Sequence, residues 1–147
     1  MGLFGLLSGK KEVTTSIKNE LNKELDHYGS LLKKLNTTDS VSAYFKAFDD
    51  MLMTFKRLKY LEDTYDWKHG KFKWKGGVMD ELQAIQDKKA KNERAFVERA
   101  YERLQRDCLK VTTDKAKEKK RTQFFAEFEH YNNYFEASTI EYIETLK

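Results

Sequence analysis

The chain has 147 residues, a net charge of +4, and 35% charged against 39% hydrophobic residues. Ten Phe, eight Tyr and two Trp exclude a disordered chain, which is poor in aromatics because it has no core to hold them. The single cysteine excludes an internal disulfide, and no stretch approaches the ~18 apolar residues that a membrane-crossing helix needs.

There is no proline. Proline removes a backbone donor and clashes with the preceding helical turn, so its absence, with glycine confined to a few places, predicts long uninterrupted helices. Residues 1–11 are expected to form a flexible N-terminal segment. Their apolar part, Gly2 to Leu7, is too short for a secretory leader. The myristoylation pattern is broken where Leu6 replaces Ser or Thr.

From there apolar residues recur at steps of three and four, which place them on one helical face. Val13, Ile17, Leu21, Leu25, Tyr28, Leu32 and Leu35 predict a first helix over about 12–36, with Gly29 inside it. Asn36, Thr37, Thr38 and Asp39 favour a turn, because short polar side chains bond nearby backbone. Val41, Phe45, Phe48, Leu52, Phe55, Leu58, Leu61 and Tyr65 predict a second helix over about 39–65. Asp66 to Gly77 is a loop. The third helix, about 78–111, has a seam of Val78, Leu82 and Ile85, falters at Lys89 and Asn92, and resumes at Phe96, Ala100, Leu104, Cys108 and Val111. Thr112, Thr113 and Asp114 repeat the polar stop. The fourth helix, about 114–146, has no apolar residue except Ala116 until Phe124; Phe128, Tyr131, Phe135, Ser138, Tyr142 and Leu146 follow.

The expected fold is all-α. Residues 12–147 form a single domain of two helical hairpins with coiled-coil-like seams, closed as an up-down-up-down four-helix bundle. The last two helices are longer by about eight residues, or about 12 Å. The second hairpin is therefore expected to carry Cys108 to Thr122 as a projecting tip.

Four constellations are candidates for function. The first is the basic tip. Residues 88–121 hold 13 basic and 6 acidic residues, whereas 122–147 hold 1 and 5. Arg99, Arg103, Arg106 and Lys110 share one helix face, and Lys117, Lys119, Lys120 and Arg121 follow the turn. Such a strip holds phosphates or acidic side chains. As a structural feature, it is a solvated face with internal ion pairs. The second is the loop Trp67, Lys68, His69, Gly70, Lys71, Phe72, Lys73, Trp74 and Lys75, where aromatic and basic residues alternate. The pattern suits nucleic acid or a membrane interface, or two tryptophans closing the end of a core. The third is a pair of Glu-x-x-His motifs, Glu24 with His27 and Glu127 with His130. Di-metal bundles use this spacing with two further glutamates, for which Glu62 and Glu93 lie near their seams but need not share a level with both motifs. The fourth is the apolar N-terminal segment, which suits a membrane surface or a docking partner.

Cys108 lies between Leu104 and Val111 on an apolar seam and reads as a core residue rather than a nucleophile. The composite expectation is a non-enzymatic, cytoplasmic interaction protein without a cofactor. Its basic tip meets an acidic protein or a phosphate-bearing partner, with nucleic acid, anionic membrane and homo-oligomer as further partner classes. A metal-binding bundle is the alternative.

Overall fold

A computed structural model describes residues 9–68, 72, 74 and 76–147. The described residues are all-α apart from two short strands: β1 (Lys11–Glu12), α1 (Thr15–Thr37), α2 (Val41–Thr64), β2 (Tyr65–Asp66), α3 (Gly77–Asp87), α4 (Lys89–Leu109), α5 (Asp114–His130), a 3-10 turn (Asn132–Tyr134) and α6 (Ala137–Leu146). No helix among the described residues is long and apolar enough to cross a membrane. The contacts divide into two compact units, residues 1–33 with 48–87 and residues 34–47 with 88–147.

In the first unit, Thr14 caps α1 by accepting from the Ile17 N–H at 3.2 Å, so the helix starts three residues later than the spacing predicts. Glu12, expected inside that helix, pairs instead with Asp66, and Lys11 with Tyr65, in a parallel ladder. The core holds Leu21, Tyr28, Leu31, Met51, Phe55, Leu58, Leu61, Phe72 and Val78. Tyr28 packs edge-on against Phe55 and Trp74, with ring centroids 5.2 and 5.4 Å apart, and its hydroxyl donates to Glu81 at 2.7 Å. Burial, then the Glu81 carboxylate, raises its pKa above the usual tyrosine value. Gly77 has φ +83°, and Glu62 reaches across to accept the Val78 N–H at 2.9 Å, satisfying an unpaired donor at the start of α3.

In the second unit, Ser40 rather than Asp39 precedes α2, its hydroxyl accepting from the Ala43 N–H at 3.4 Å. Val41, Tyr44, Phe45 and Ala47 are buried with Phe96, Val97, Ala100, Leu104, Phe128, Phe135 and Ile143. Phe96 stacks on Tyr44 and on Phe128, at 4.4 and 5.8 Å.

Two expected helices are interrupted. The 78–111 run divides at Lys88, within the polar stretch Gln86–Lys89, where no apolar side chain holds the helix axis straight. The 114–146 run divides at Tyr131–Glu136. Asn132 and Asn133 are weak helix formers, and Phe135 adopts an extended backbone (φ −82°, ψ 150°) that turns its ring inward against Phe45 and Phe128, 4.8 and 5.7 Å away. After this break the buried positions are Thr139 and Ile143, not Ser138 and Tyr142.

Glu93 organises the break. It is fully buried, and its Oε1 accepts from the Glu136 N–H at 2.9 Å and from the Thr139 hydroxyl at 2.8 Å. It thereby caps α6, whose own N-cap residue offers no side-chain bond. Lys89 Nζ lies 3.0 Å from Glu93 Oε2, an ion pair off the hydrogen-bond line, and donates to the Tyr134 carbonyl at 2.9 Å.

Candidate interaction surface on the α4–α5 hairpin

The hairpin of α4 and α5 closes through Lys110 to Thr113. Thr113 is an N-cap of the expected kind: its Oγ1 accepts from the Ala116 N–H at 3.2 Å. Below the turn, Tyr101 meets Phe124 at 6.2 Å and the Cys108 thiol points to the Lys117 carbonyl at 4.0 Å. Cys108, expected in the core, is only half-buried.

Burial ends well before the turn. Leu104 is the last buried residue of α4, and Phe128 the first of α5. Among the described residues, none of the 23 from Gln105 to Glu127 is buried. Neighbouring segments stop at the same level. Asp39 of the α1–α2 turn reaches Arg103 at 2.7 Å, and the Leu146 carbonyl at the end of α6 accepts from Arg121 at 3.5 Å. Between Arg106 and Lys117 the described residues make no hydrogen bond or ion pair outside the hairpin.

The predicted basic residues divide into two groups. Arg99 belongs to the fold: its guanidinium donates to the Leu35 carbonyl at 2.7 Å and the Thr38 carbonyl at 3.2 Å, closing the C-terminal end of α1. It also offsets the pull of Glu93 on Tyr44, whose pKa burial raises above the ordinary value. Arg103 is held between Asp39 and Asp107. Arg121 leans on Phe125, 5.7 Å from the ring centroid. Arg106 and Lys110 are exposed, Lys110 with a 3.6 Å approach to Asp107, while Lys117 and Lys120 are half-buried. Sequence spacing did not single out Leu109, which is 83% exposed beside them. Leu109 lies five residues past Leu104, about 140° around the helix, and so faces away from the seam.

A cleft of about 410 Å³ opens beside the α1–α2 turn. Its floor is Val41, Ala100, Leu104, Phe124 and Phe128; Arg103, Lys120, Asp39, Asp107 and Glu127 line its rim. Two cations against three carboxylates leave the rim nearly self-neutral, so it holds no strong field of either sign.

The other candidates fall elsewhere. Trp67 and Trp74 sit in the first unit, around Phe72 at 5.5 and 6.2 Å, and Trp67 donates to the Leu61 carbonyl at 2.8 Å. Lys71 and Lys73 lie outside the described residues. Glu24 pairs with Arg57 at 2.9 Å and His27 is exposed, both in the first unit. Glu127 is on the cleft rim and His130 stands edge-on to Tyr131 at 5.3 Å, both in the second. Among the described residues no group of three or more His, Cys, Asp or Glu side chains is placed to hold a metal ion. Glu62 and Glu93, the carboxylates considered for such a site, each cap a helix.

Comparison with known proteins finds no matching family model, and no significant similarity to a curated protein or to a solved structure.

Proposed function

We propose that this is a non-enzymatic, cytoplasmic interaction protein whose α4–α5 tip presents a basic surface to an acidic protein or a phosphate-bearing partner. One observation carries the reading: the hairpin continues for 23 residues without a buried side chain. An extension that adds little to the core has a role outside it, because helical structure in proteins is ordinarily stabilised by packing. From Arg106 to Arg121 the tip holds seven basic and three acidic residues. Arg106, Lys110, Lys117, Lys120 and Arg121 form its surface, Arg103 is positioned by Asp39, and Arg99 anchors the base. The reading also takes α1–α2 and α4–α5 as the two hairpins of an up-down-up-down arrangement, each closed by a short polar turn.

The test is salt-dependent binding to poly-glutamate and to a polyphosphate, with wild type and with Arg106→Gln, Lys110→Gln and Lys120→Gln combined. Binding that weakens with salt and falls in the triple variant supports the reading. No binding at low salt by folded protein sinks it.

A further inference from the structure

We infer that the tip docks on an anionic lipid surface, with Leu109 entering the acyl boundary and the surrounding basic side chains meeting headgroup phosphates and carboxylates. This rests on the proposed function and names the partner.

Leu109 ends α4 at the hairpin apex and is 83% exposed. At that exposure its side chain is open to solvent rather than enclosed in a groove. A partner helix needs a concave apolar seat, and the cleft beside the α1–α2 turn is not lined by Leu109 and is nearly self-neutral. A membrane needs no such seat, because lipid rearranges around an inserted apolar group. Amphipathic surfaces bind it by apolar area together with attraction to anionic lipids.

Charge points the same way. Arg106 on α4 and Lys110 at its C-terminal cap flank Leu109 in the chain, and Lys115 and Lys119 lie exposed on α5. Among the described residues, Arg106, Lys115 and Lys119 make no ion pair. They are therefore available without breaking a contact within the protein. A second copy of the chain is a poor occupant, since each tip carries a surplus of four positive charges from Arg106 to Arg121. Nucleic acid is disfavoured as well. Of the hairpin aromatics nearest the tip, Tyr101 and Phe124 pack on each other at 6.2 Å and Phe125 lies under Arg121 at 5.7 Å, so these rings already have partners within the protein. Leu109 would gain nothing from a phosphate backbone.

Flotation with vesicles of phosphatidylcholine plus phosphatidylserine, against phosphatidylcholine alone, tests the inference. Wild type is expected to float with the anionic vesicles only. Leu109→Ser, which leaves charge untouched, is expected to weaken binding about tenfold, the loss from withholding roughly half a leucine from the apolar phase. Lys115→Gln and Lys119→Gln are each expected to weaken it about fivefold, since each charge near an anionic surface contributes about that factor. All three sites are exposed, so circular dichroism should show unchanged helix. Wild type that ignores the vesicles yet binds poly-glutamate or polyphosphate overturns the membrane inference and leaves the proposed function standing. Failure with all of these probes overturns both. Vesicle binding that is indifferent to Leu109→Ser, or tighter binding to an RNA oligomer, also overturns the inference.

Discussion

Removing the Glu93 carboxylate tests the account of how the second unit is built. Glu93→Ala deletes two hydrogen bonds to a charged acceptor, from the Glu136 N–H at 2.9 Å and the Thr139 hydroxyl at 2.8 Å. Each is worth about 1.5–3 kcal/mol. Thr139 is itself buried, so its hydroxyl loses its partner away from water. Two terms oppose the loss. The buried carboxylate no longer has to be desolvated, and Lys89 keeps the Tyr134 carbonyl at 2.9 Å and Glu136 at 3.3 Å. The net cost should be about 3–5 kcal/mol, a large share of the roughly 5–15 kcal/mol that holds a typical domain. Glu93→Gln keeps an acceptor oxygen for both bonds, although it loses the ion pair and turns a buried amide NH2 toward Lys89, so it should cost less than the alanine variant. Urea unfolding followed by circular dichroism gives the size, and hydrogen exchange over residues 136–146 gives the location. A Glu93→Ala protein within about 0.5 kcal/mol of wild type, or with unchanged protection in α6, would refute the reasoning.

Other consequences are simpler. Arg99→Met should destabilise by about 2–3 kcal/mol, because it frees the Leu35 and Thr38 carbonyls that the guanidinium now binds; fraying of residues 33–38 in hydrogen exchange reads it out. Gly77→Ala should cost about 1–2 kcal/mol, since φ is +83° and the new Cβ would lie 2.7 Å from Glu62 Oε2. Gly29→Ala should do the opposite and stabilise by up to about 1 kcal/mol, because a Cβ there meets nothing within 4 Å; both follow from urea midpoints. Tyr28 and Tyr44 have raised folded pKa values. The folded state therefore holds their protons more tightly than the unfolded chain does, and stability that is fully present below the unfolded tyrosine pKa of about 10 should fall as pH rises above it. Ultraviolet titration should show two tyrosines ionising after the rest.

Helix was legible wherever periodicity and caps agreed. Thr113 is the cap that the Thr-Thr-Asp stop implied, and α5 is helical over residues with almost no apolar face, as their propensity requires. The seams were read less well. Met51 and Thr54 are buried where Leu52 was expected, and Leu31 where Leu32 was expected. Neighbouring positions differ by only ~100° around the helix, and the packing partner decides between them. The tip was legible as a run of basic residues, but the separate fates of those residues were not. Nothing in the spacing of Arg99 distinguishes it from Arg106. One closes a helix end and the other stands in solvent, because the α1–α2 turn reaches the first and stops short of the second.

The amino-acid order by itself determined an all-α chain. Proline is absent, turn-forming polar residues are concentrated at a few points, and apolar residues repeat at helical spacing, all local properties that act on backbone dihedrals within a turn or two. Tertiary structure decided where two of those helices stop. The last long run is broken at Tyr131–Glu136 because Phe135 finds Phe45 and Phe128, and because a carboxylate 43 residues earlier accepts the free N–H of Glu136. Periodicity carries no record of a partner that distant, so Glu93 was considered only as a carboxylate for a di-metal site, whereas it serves as the cap on which α6 begins.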